Sequence, residues 1–279
     1  MTAASGSRQN AALNGTAPAP RSWSARHREA TRWLLYLAGP LVLAMLWSWS
    51  SRRFGAEILY PGPLRAFDAL VELWREGRLL QDIMSSLSRI MTGFALGWLA
   101  GFALGLVAGQ FAIVRMLLQP YIQFFRFISP IAWLSLVLLW FGSGELGKIL
   151  LIVYTTAFIV CVTTIEGIYA IPRDAVRAAL CFGASTRQLF WHVTVPSALS
   201  FAITGGRLAI ANSFATVVAA EMLSAESGLG YLSWVSRQSL SVDVIFASLA
   251  CLGVLGLAAD RAIVGLQSVV FARFTHGKR

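Results

Sequence analysis

Six long apolar stretches dominate the 279 residues of this chain. A membrane-spanning helix needs about 20 mainly apolar residues. Only 13% of the residues are charged, roughly half the usual fraction in soluble domains. The stretches lack the alternation of polar and apolar residues that marks the strands of a membrane barrel. The sequence therefore predicts an all-α membrane protein with six transmembrane helices: Trp33–Trp49, Ile90–Gly109, Tyr121–Phe141, Ile149–Ile165, Leu199–Ala220 and Val244–Val264.

The apolar stretches divide the chain into four predicted regions. Residues 1–32 are rich in Ala, Ser, Pro and Arg, which indicates a disordered cytoplasmic tail. Residues 33–84 hold the first span and an outer segment in which apolar residues recur at helical spacing. Residues 85–265 form the membrane core, with a polar elbow at 167–196, and residues 266–279 form a second cytoplasmic tail.

The distribution of charge predicts the orientation of the chain. The net charge is +10, and the basic residues concentrate on the side of the membrane that holds both termini. Basic residues in short loops favour the cytoplasmic side, so both termini are predicted to be cytoplasmic. The positive charge is then explained by topology and by attraction to anionic lipid. No nucleic-acid partner is expected.

The second predicted span carries a glycine at every fourth position. Residues four apart lie on one face of a helix, and a face without side chains lets another helix approach its backbone closely. The ladder therefore predicts a tightly packed core helix and does not identify a function. Its members are Gly93, Gly97, Gly101, Gly105 and Gly109.

Several polar residues lie within the predicted spans and leave two interpretations open. Arg126 is placed one to two turns from the cytoplasmic end of the third span, where it either reaches the interface or lines a pathway. Pro130 is expected to bend that span. Asn212 and Thr216 share a face of the fifth span and either join helices or line a polar path. Asp260 is the only acid within the six spans, which argues against proton coupling.

The elbow reads as two short helices with a break between them. Asp174–Leu180 is compatible with a helix whose first turn follows Pro172. Gly183 is expected to supply the positive φ that ends this helix. A second helix is predicted from Thr186 to Val193, and Pro196 is expected to limit how far it runs before the fifth span.

The spacing within the elbow resembles the EAA motif of the permease subunits of ABC importers. It consists of Ala178-Ala179, three residues, Gly183, nine residues, and Val193-x-Val195-Pro196. Further segments resemble the sulfonate, taurine and nitrate subgroup of that family: Arg126 to Gly142, Gly206-Arg207-Leu208, Ala220-Glu221-Met222 and Gly228-Leu229-Gly230-Tyr231. The chain departs from the family pattern in having Arg177 at the acidic position of the motif, and Ser135 and Ser200 where the subgroup often has proline.

The resemblance implies a type I ABC-importer permease fold in the bacterial inner membrane, with no catalytic residue in this chain. ATP and magnesium would bind a partner ATPase, and the complex would include a second permease copy, forming a homodimer, and an extracytoplasmic binding protein. The solute would be a sulfonate, taurine, nitrate or a similar small anion. The residues implied in ATPase coupling are Asp174, Arg177, Ala178, Ala179, Gly183, Ala184, Arg187 and Pro196. Those implied in the translocation path are Arg126, Ser129, Trp133, Asn212 and Thr216.

Two other classes of membrane protein compete with this interpretation. A secondary transporter predicts repeated halves, and ionisable groups or broken helices at mid-membrane, and no pair of repeated halves is visible. A membrane enzyme needs a cluster of His, Cys or acidic residues, whereas the 3 histidines and 3 cysteines are scattered. No metal site is predicted.

Overall fold

The computed structural model describes residues 38–39, 41–53 and 59–275, which form two separate units. The first unit contains helix α1 (41–53), whose large apolar side chains, such as Leu43 and Trp49, are exposed. The first predicted span, Trp33–Trp49, overlaps this helix, and its residues 33–37 and 40 lie outside the described residues. The predicted tail 1–32 and residues 276–279 lie outside them as well.

The second unit is built entirely of helices within the described range. Helix α2 (Pro63–Arg75) begins with a proline in its first turn, where the missing N–H costs nothing, and it buries Ala66, Ala69 and Leu73. Gly77, with φ 74°, separates α2 from the next helix. The other helices are α3 (Arg78–Gln110), α4 (Ala112–Arg126), α5 (Pro130–Phe141), α6 (Glu145–Tyr169), α7 (Arg173–Cys181), α8 (Thr186–Leu189), α9 (Val195–Ser224), α10 (Leu229–Gln238) and α11 (Val242–Thr275).

Four helices of the described chain are long and apolar enough to cross a membrane. They are Arg78–Gln110, Glu145–Tyr169, Thr186–Ser224 and Val242–Gly265, and each contains one of the predicted spans. The third predicted span, Tyr121–Phe141, is not one helix: α4 and α5 meet at 94°. The count is therefore four spans, or five if the bent pair crosses as one. The sixth predicted span is the one at Trp33–Trp49.

Contacts between the helices show their relative directions. Gly93 of α3 lies against Ile152 of α6, and Gly105 lies against Thr164, so these two helices run in parallel. Helix α9 runs the opposite way, since its Gly205 lies against Thr163 of α6 and its Ser213 contacts Thr156. The start of α6 and the end of α9 therefore lie at one end of the bundle. The elbow and the start of α9 lie at the other end.

The structure places the glycine ladder of α3 directly against α6. A methyl group added at Gly101 would lie 2.5 Å from the carbonyl oxygen of Ala157. At Gly97 it would lie 2.7 Å from the Cβ of Thr156 and 2.8 Å from the carbonyl oxygen of Val153. The two backbones are thus in contact, and this packing is available only to glycine.

Replacing Gly101 with alanine is expected to separate α3 from α6. The clash is with a backbone carbonyl, so no side-chain rotation relieves it, and overpacking of this kind typically costs about 1–3 kcal/mol. The matched control is Gly253→Ala in α11, where an added methyl meets nothing within 4 Å. In thermal unfolding of the detergent-solubilised chain, Gly101→Ala should clearly lower the melting temperature, whereas Gly253→Ala should not. Equal melting temperatures for the two variants would contradict the close helix contact.

Candidate functional site

Helix α7 ends in a left-handed glycine turn. Gly183 has φ 79°, as the sequence predicts. Its N–H donates to the carbonyl of Leu180, and the N–H of Ala184 donates to the carbonyl of Ala179. These two bonds define a Schellman motif, which satisfies the last carbonyls of the helix and reverses the chain.

The second half of the elbow is fixed by a capping box. Ser185 accepts a hydrogen bond from the N–H of Gln188, and the Gln188 side chain accepts one from the N–H of Ser185. The prediction of a helix limited by Pro196 is wrong. A π-helical turn at Phe190–Thr194 continues the chain into α9, and Pro196 lies in the first turn of α9. A π-turn shifts the hydrogen-bond ladder, so the proline does not break the rod.

The elbow exposes apolar groups at the end of the bundle. None of the α7 residues is buried. Phe182, directly after α7, is 92% exposed, and Leu180 is 52% exposed. Among the residues implied in ATPase coupling, three are half-buried (Ala179, Ala184 and Pro196) and five are exposed (Asp174, Arg177, Ala178, Gly183 and Arg187).

Tyr154 of α6 contacts the backbone at the break between α4 and α5. Pro130 lies in the first turn of α5 and cannot donate a backbone hydrogen bond to the end of α4. The hydroxyl of Tyr154 donates to the carbonyl oxygen of Phe125 at 2.5 Å and lies 3.4 Å from that of Ile128. A tyrosine hydroxyl therefore caps carbonyls that a continuous helix would have used.

A cavity of about 280 Å³ lies at this break, between α5, α6 and α9. Four of the five residues implied in the translocation path line it: Arg126, Ser129, Asn212 and Thr216. Trp133 does not line the cavity and instead packs against the ring of Tyr154, with ring centroids 6.0 Å apart. The structure thus brings residues from two distant segments to one place.

The depth predicted for Arg126 is wrong. Helix α4 has 15 residues and starts at Ala112, so Arg126 lies about 20 Å along the helix from its start. Tyr154, beside the same cavity, lies about 14 Å along α6 from Glu145. Arg126 is therefore near the middle of the spanning helices, because the α4 helix begins earlier than the apolar run in the sequence.

A network of ion pairs lies at the end of the bundle away from the elbow, and the sequence analysis does not predict it. Arg89 of α3 donates to both oxygens of Glu145, at 2.5 and 2.9 Å, and to Glu221 at 2.8 Å. Lys148 also pairs with Glu145 at 3.0 Å. The side chain of Glu221 is fully buried. The prediction that Asp260 is the only acid within the spans is therefore wrong, because α6 and α9 extend to include Glu145 and Glu221.

The same network holds the start of α10. The N–H groups of Gly228, Leu229 and Gly230 donate to the side chains of Asp82, Ser86 and Glu221 respectively, at 2.8–2.9 Å. Gly228 has φ 123°, and an added methyl there would lie 2.5 Å from the Glu221 carboxylate. Ala220-Glu221-Met222 and Gly228-Leu229-Gly230-Tyr231, separate in the sequence, form one structural unit.

A second ion pair lies within the spanning helices. Arg207 of α9 donates to both carboxylate oxygens of Asp260 on α11, at 2.9 and 3.1 Å. The charge of Arg207 is thereby neutralised within this chain. Asp260 thus has a structural partner on another helix, 53 residues away, which no local sequence pattern identifies.

The described residues contain no group of three or more His, Cys, Asp or Glu side chains that could hold a metal ion.

A profile of the family described as "Binding-protein-dependent transport system inner membrane component" matches residues 93–274. The chain belongs to this family. It is therefore a multi-pass inner-membrane protein and a permease component of a transport system.

Similar proteins agree with this assignment. A probable ABC transporter permease protein of Brucella melitensis is 36% identical over 75% of this chain and 85% of its own length. The taurine transport system permease protein of Escherichia coli is 30% identical over 81% of this chain and 84% of its own. A bicarbonate transport system permease protein of Synechococcus elongatus is 31% identical over 84% and 88% respectively.

Solved structures share the fold at low sequence identity. A chain of the MetNI methionine ABC transporter, in an inward-facing conformation, has a TM-score of 0.63 and 16% identity, covering 70% of this chain and 97% of its own. A chain of a bacterial alginate ABC transporter has a TM-score of 0.58 and 17% identity, covering 92% and 99%. The fold of the described helices is therefore that of an ABC-importer permease.

Replacing Glu221 with glutamine is expected to destabilise the fold strongly. Breaking a buried ion pair by removing one partner typically costs about 3–5 kcal/mol, and here the start of α10 loses an acceptor as well. The control Glu72→Gln makes the same change at an exposed site on α2. Thermal unfolding should give a clearly lower melting temperature for Glu221→Gln than for Glu72→Gln. A Glu221→Gln chain as stable as Glu72→Gln would show that the network adds nothing to stability.

Proposed function

We propose that this chain forms the solute path of an ATP-driven importer and that its elbow, residues 167–196, couples the path to a separate ATPase subunit. The observation that carries this proposal is the exposure of the elbow. Phe182 is 92% exposed and follows a rigid helix end, at a bundle end predicted to be cytoplasmic. An aromatic side chain held there by a Schellman turn is well suited to bury itself in a cleft of a soluble partner.

The charges on the elbow suit an ion pair with the ATPase in which this chain supplies the cation, where the family pattern supplies an acid. Arg177 stands where the family pattern has an acid, and Arg187 is also exposed. A partner surface with acidic groups opposite these arginines would complete the contact. The paired alanines, Ala178 and Ala179, leave the neighbouring surface of α7 smooth enough for close approach.

The elbow has a direct mechanical connection to the cavity. The chain from Thr186 to Ser224 is one helical rod of 39 residues. Asn212 and Thr216 lie on this rod, about 40 Å from its start. The turn between α7 and Thr186 is short and hydrogen-bonded, so a rigid-body movement of the elbow would move the two cavity residues on this helix as well.

The assembly that follows has the general composition of an importer. Two copies of this chain would enclose the path, two ATPase subunits would bind ATP and magnesium, and an extracytoplasmic protein would deliver the solute. The relatives are named for taurine and bicarbonate. Both solutes carry a small oxyanion group, so we propose a sulfonate, nitrate, bicarbonate or similar small anion as the solute.

Replacing Phe182 with aspartate is expected to uncouple the chain from its ATPase. The change puts a charge on the surface proposed to enter the ATPase cleft, while the Phe182 side chain makes little contact within this chain. The control Phe67→Asp makes the same change at a 62% exposed position on α2, at the other end of the bundle. The measurement is the ATPase that co-purifies with the tagged chain, and its hydrolysis rate in proteoliposomes.

The expected result is at least tenfold less co-purified ATPase for Phe182→Asp, with an unchanged melting temperature of the permease. Phe67→Asp should retain its ATPase. If Phe182→Asp retains a full complement of ATPase with normal hydrolysis, the elbow is not the coupling surface. If the wild-type chain purifies with no ATPase, the importer assembly itself is wrong.

A further inference from the structure

We infer that the cavity at the α4–α5 break binds the oxyanion group of the transported solute, with Arg126 as its cationic partner. The inference rests on the proposed function only in treating this ligand as the solute. The cavity lies about halfway along the spanning helices, and it collects one cation, several neutral hydrogen-bonding groups and the start of a helix. Each of these features favours an anion.

Arg126 differs from two other arginines within the spanning helices. Arg89 is satisfied by Glu145 and Glu221, and Arg207 by Asp260. The guanidinium of Arg126 has no carboxylate or hydrogen-bond partner among the described residues, and it lies over the ring of the adjacent Phe127, 5.3 Å from the centroid. An unpaired charge at mid-membrane is costly, so a ligand that carries the opposite charge would stabilise it.

The rest of the lining supplies donors but no competing acid. Of the side chains that line the cavity, Arg126 alone is charged. The Asn212 amide donates to the carbonyl of Leu208 at 2.9 Å, which leaves its second N–H available. Thr216 donates to the carbonyl of Asn212 and shares a contact of 3.3 Å with Thr155. The hydroxyl of Ser129 forms no cap bond with α5.

Helix α5 adds a positive end to the same cavity. Ser129, Pro130 and Ile131, at its N-terminus, all line the cavity. Pro130 has no N–H, and the N–H of Ala132 donates to the carbonyl of Ser129 at 2.9 Å. The helix start therefore favours an anion mainly through the helix dipole, which attracts negative charge there. The 94° break therefore places a helix start in the middle of the membrane, where a continuous span would have had none.

The size and walls of the cavity restrict the ligand further. A volume of about 280 Å³ accommodates an anion of a few heavy atoms together with water, since each water occupies roughly 30 Å³. Phe127, Phe158 and Ile159 provide apolar walls, which tolerate a short organic group beside the oxyanion. An anionic lipid headgroup has the same chemistry, so the experiment has to separate it from a free anion.

The test measures the electrostatic preference of the cavity through a reporter thiol. Ala215 lines the cavity and supplies no proposed hydrogen bond, so Ala215→Cys is the reporter, in a full-length chain whose Cys161, Cys181 and Cys251 are all replaced by serine. The exposed Cys181 of the elbow, kept in a separate chain with no cavity cysteine, is the control thiol. The rates of labelling by anionic sulfonatoethyl and cationic trimethylammonioethyl methanethiosulfonate are compared. Each chain is measured with Arg126, Arg126→Lys and Arg126→Gln.

The expected result is that Arg126→Gln lowers the anion-to-cation rate ratio at the cavity by at least about tenfold, whereas Arg126→Lys retains it. The ratio at Cys181 should not change. Millimolar nitrate, bicarbonate or taurine should slow anionic labelling at the cavity by at least threefold in the Arg126 chain only. An unchanged ratio in Arg126→Gln, or no protection by any of the three anions, would overturn the inference.

A second set of labelling experiments, in vesicles of different lipid composition, distinguishes a free anion from a lipid headgroup. The labelling is repeated in phosphatidylcholine vesicles with and without phosphatidylglycerol. Protection by phosphatidylglycerol that the free anions do not reproduce would assign the site to a lipid headgroup and refute the solute site. The elbow result is independent of all these measurements: if Phe182→Asp loses its ATPase while Arg126→Gln changes nothing, the importer stands and the anion site does not.

Discussion

The backbone contact between α3 and α6 is the interaction on which the rest of the bundle depends. With no side chains between them, Gly97 and Gly101 bring the two helices into direct contact. This contact fixes the position of α6, which carries Tyr154 at the cavity and Glu145 in the ion network with Arg89. A wider separation would move Glu145 away from Arg89 of α3. The glycine face thus supports both charged regions, although it contributes no chemistry.

Helix α9 links these regions and is held differently at its two ends. At one end, Glu221 is buried and bonded to Arg89, Ser86 and the start of α10. At the other, the elbow is exposed, and its second half, from Thr186, continues into α9 without a break in the helix. If the elbow couples to an ATPase as proposed, a force on the elbow acts on a helix whose far end is anchored by these bonds. The residues that respond are those between the two ends, which include Asn212 and Thr216.

The apolar runs were enough to locate most of the spanning helices, and the glycine at position 183 was enough to predict its positive φ. Predictions failed where tertiary partners decide the outcome. Hydropathy ended the fifth span before Glu221, because a carboxylate in a span is costly until Arg89 from a distant helix compensates it. Pro130 predicted a bend but not its 94° angle, and the Tyr154 hydroxyl that bonds to the freed carbonyls lies on another helix. Pro196 predicted a break that a π-turn avoids.

A broken helix with an unpaired charge at mid-membrane also suits a secondary transporter, so these features alone do not distinguish the two mechanisms. Family membership decides for the importer, and the position of the charges agrees with it. Proton coupling needs an acid that faces the path, whereas the cavity lining contains no acid, and Glu221 and Asp260 are each bonded to an arginine. An unpaired arginine can attract an anion but cannot by itself drive it against a gradient. The energy has to enter elsewhere, and the exposed elbow is the part of the described chain best built to receive it.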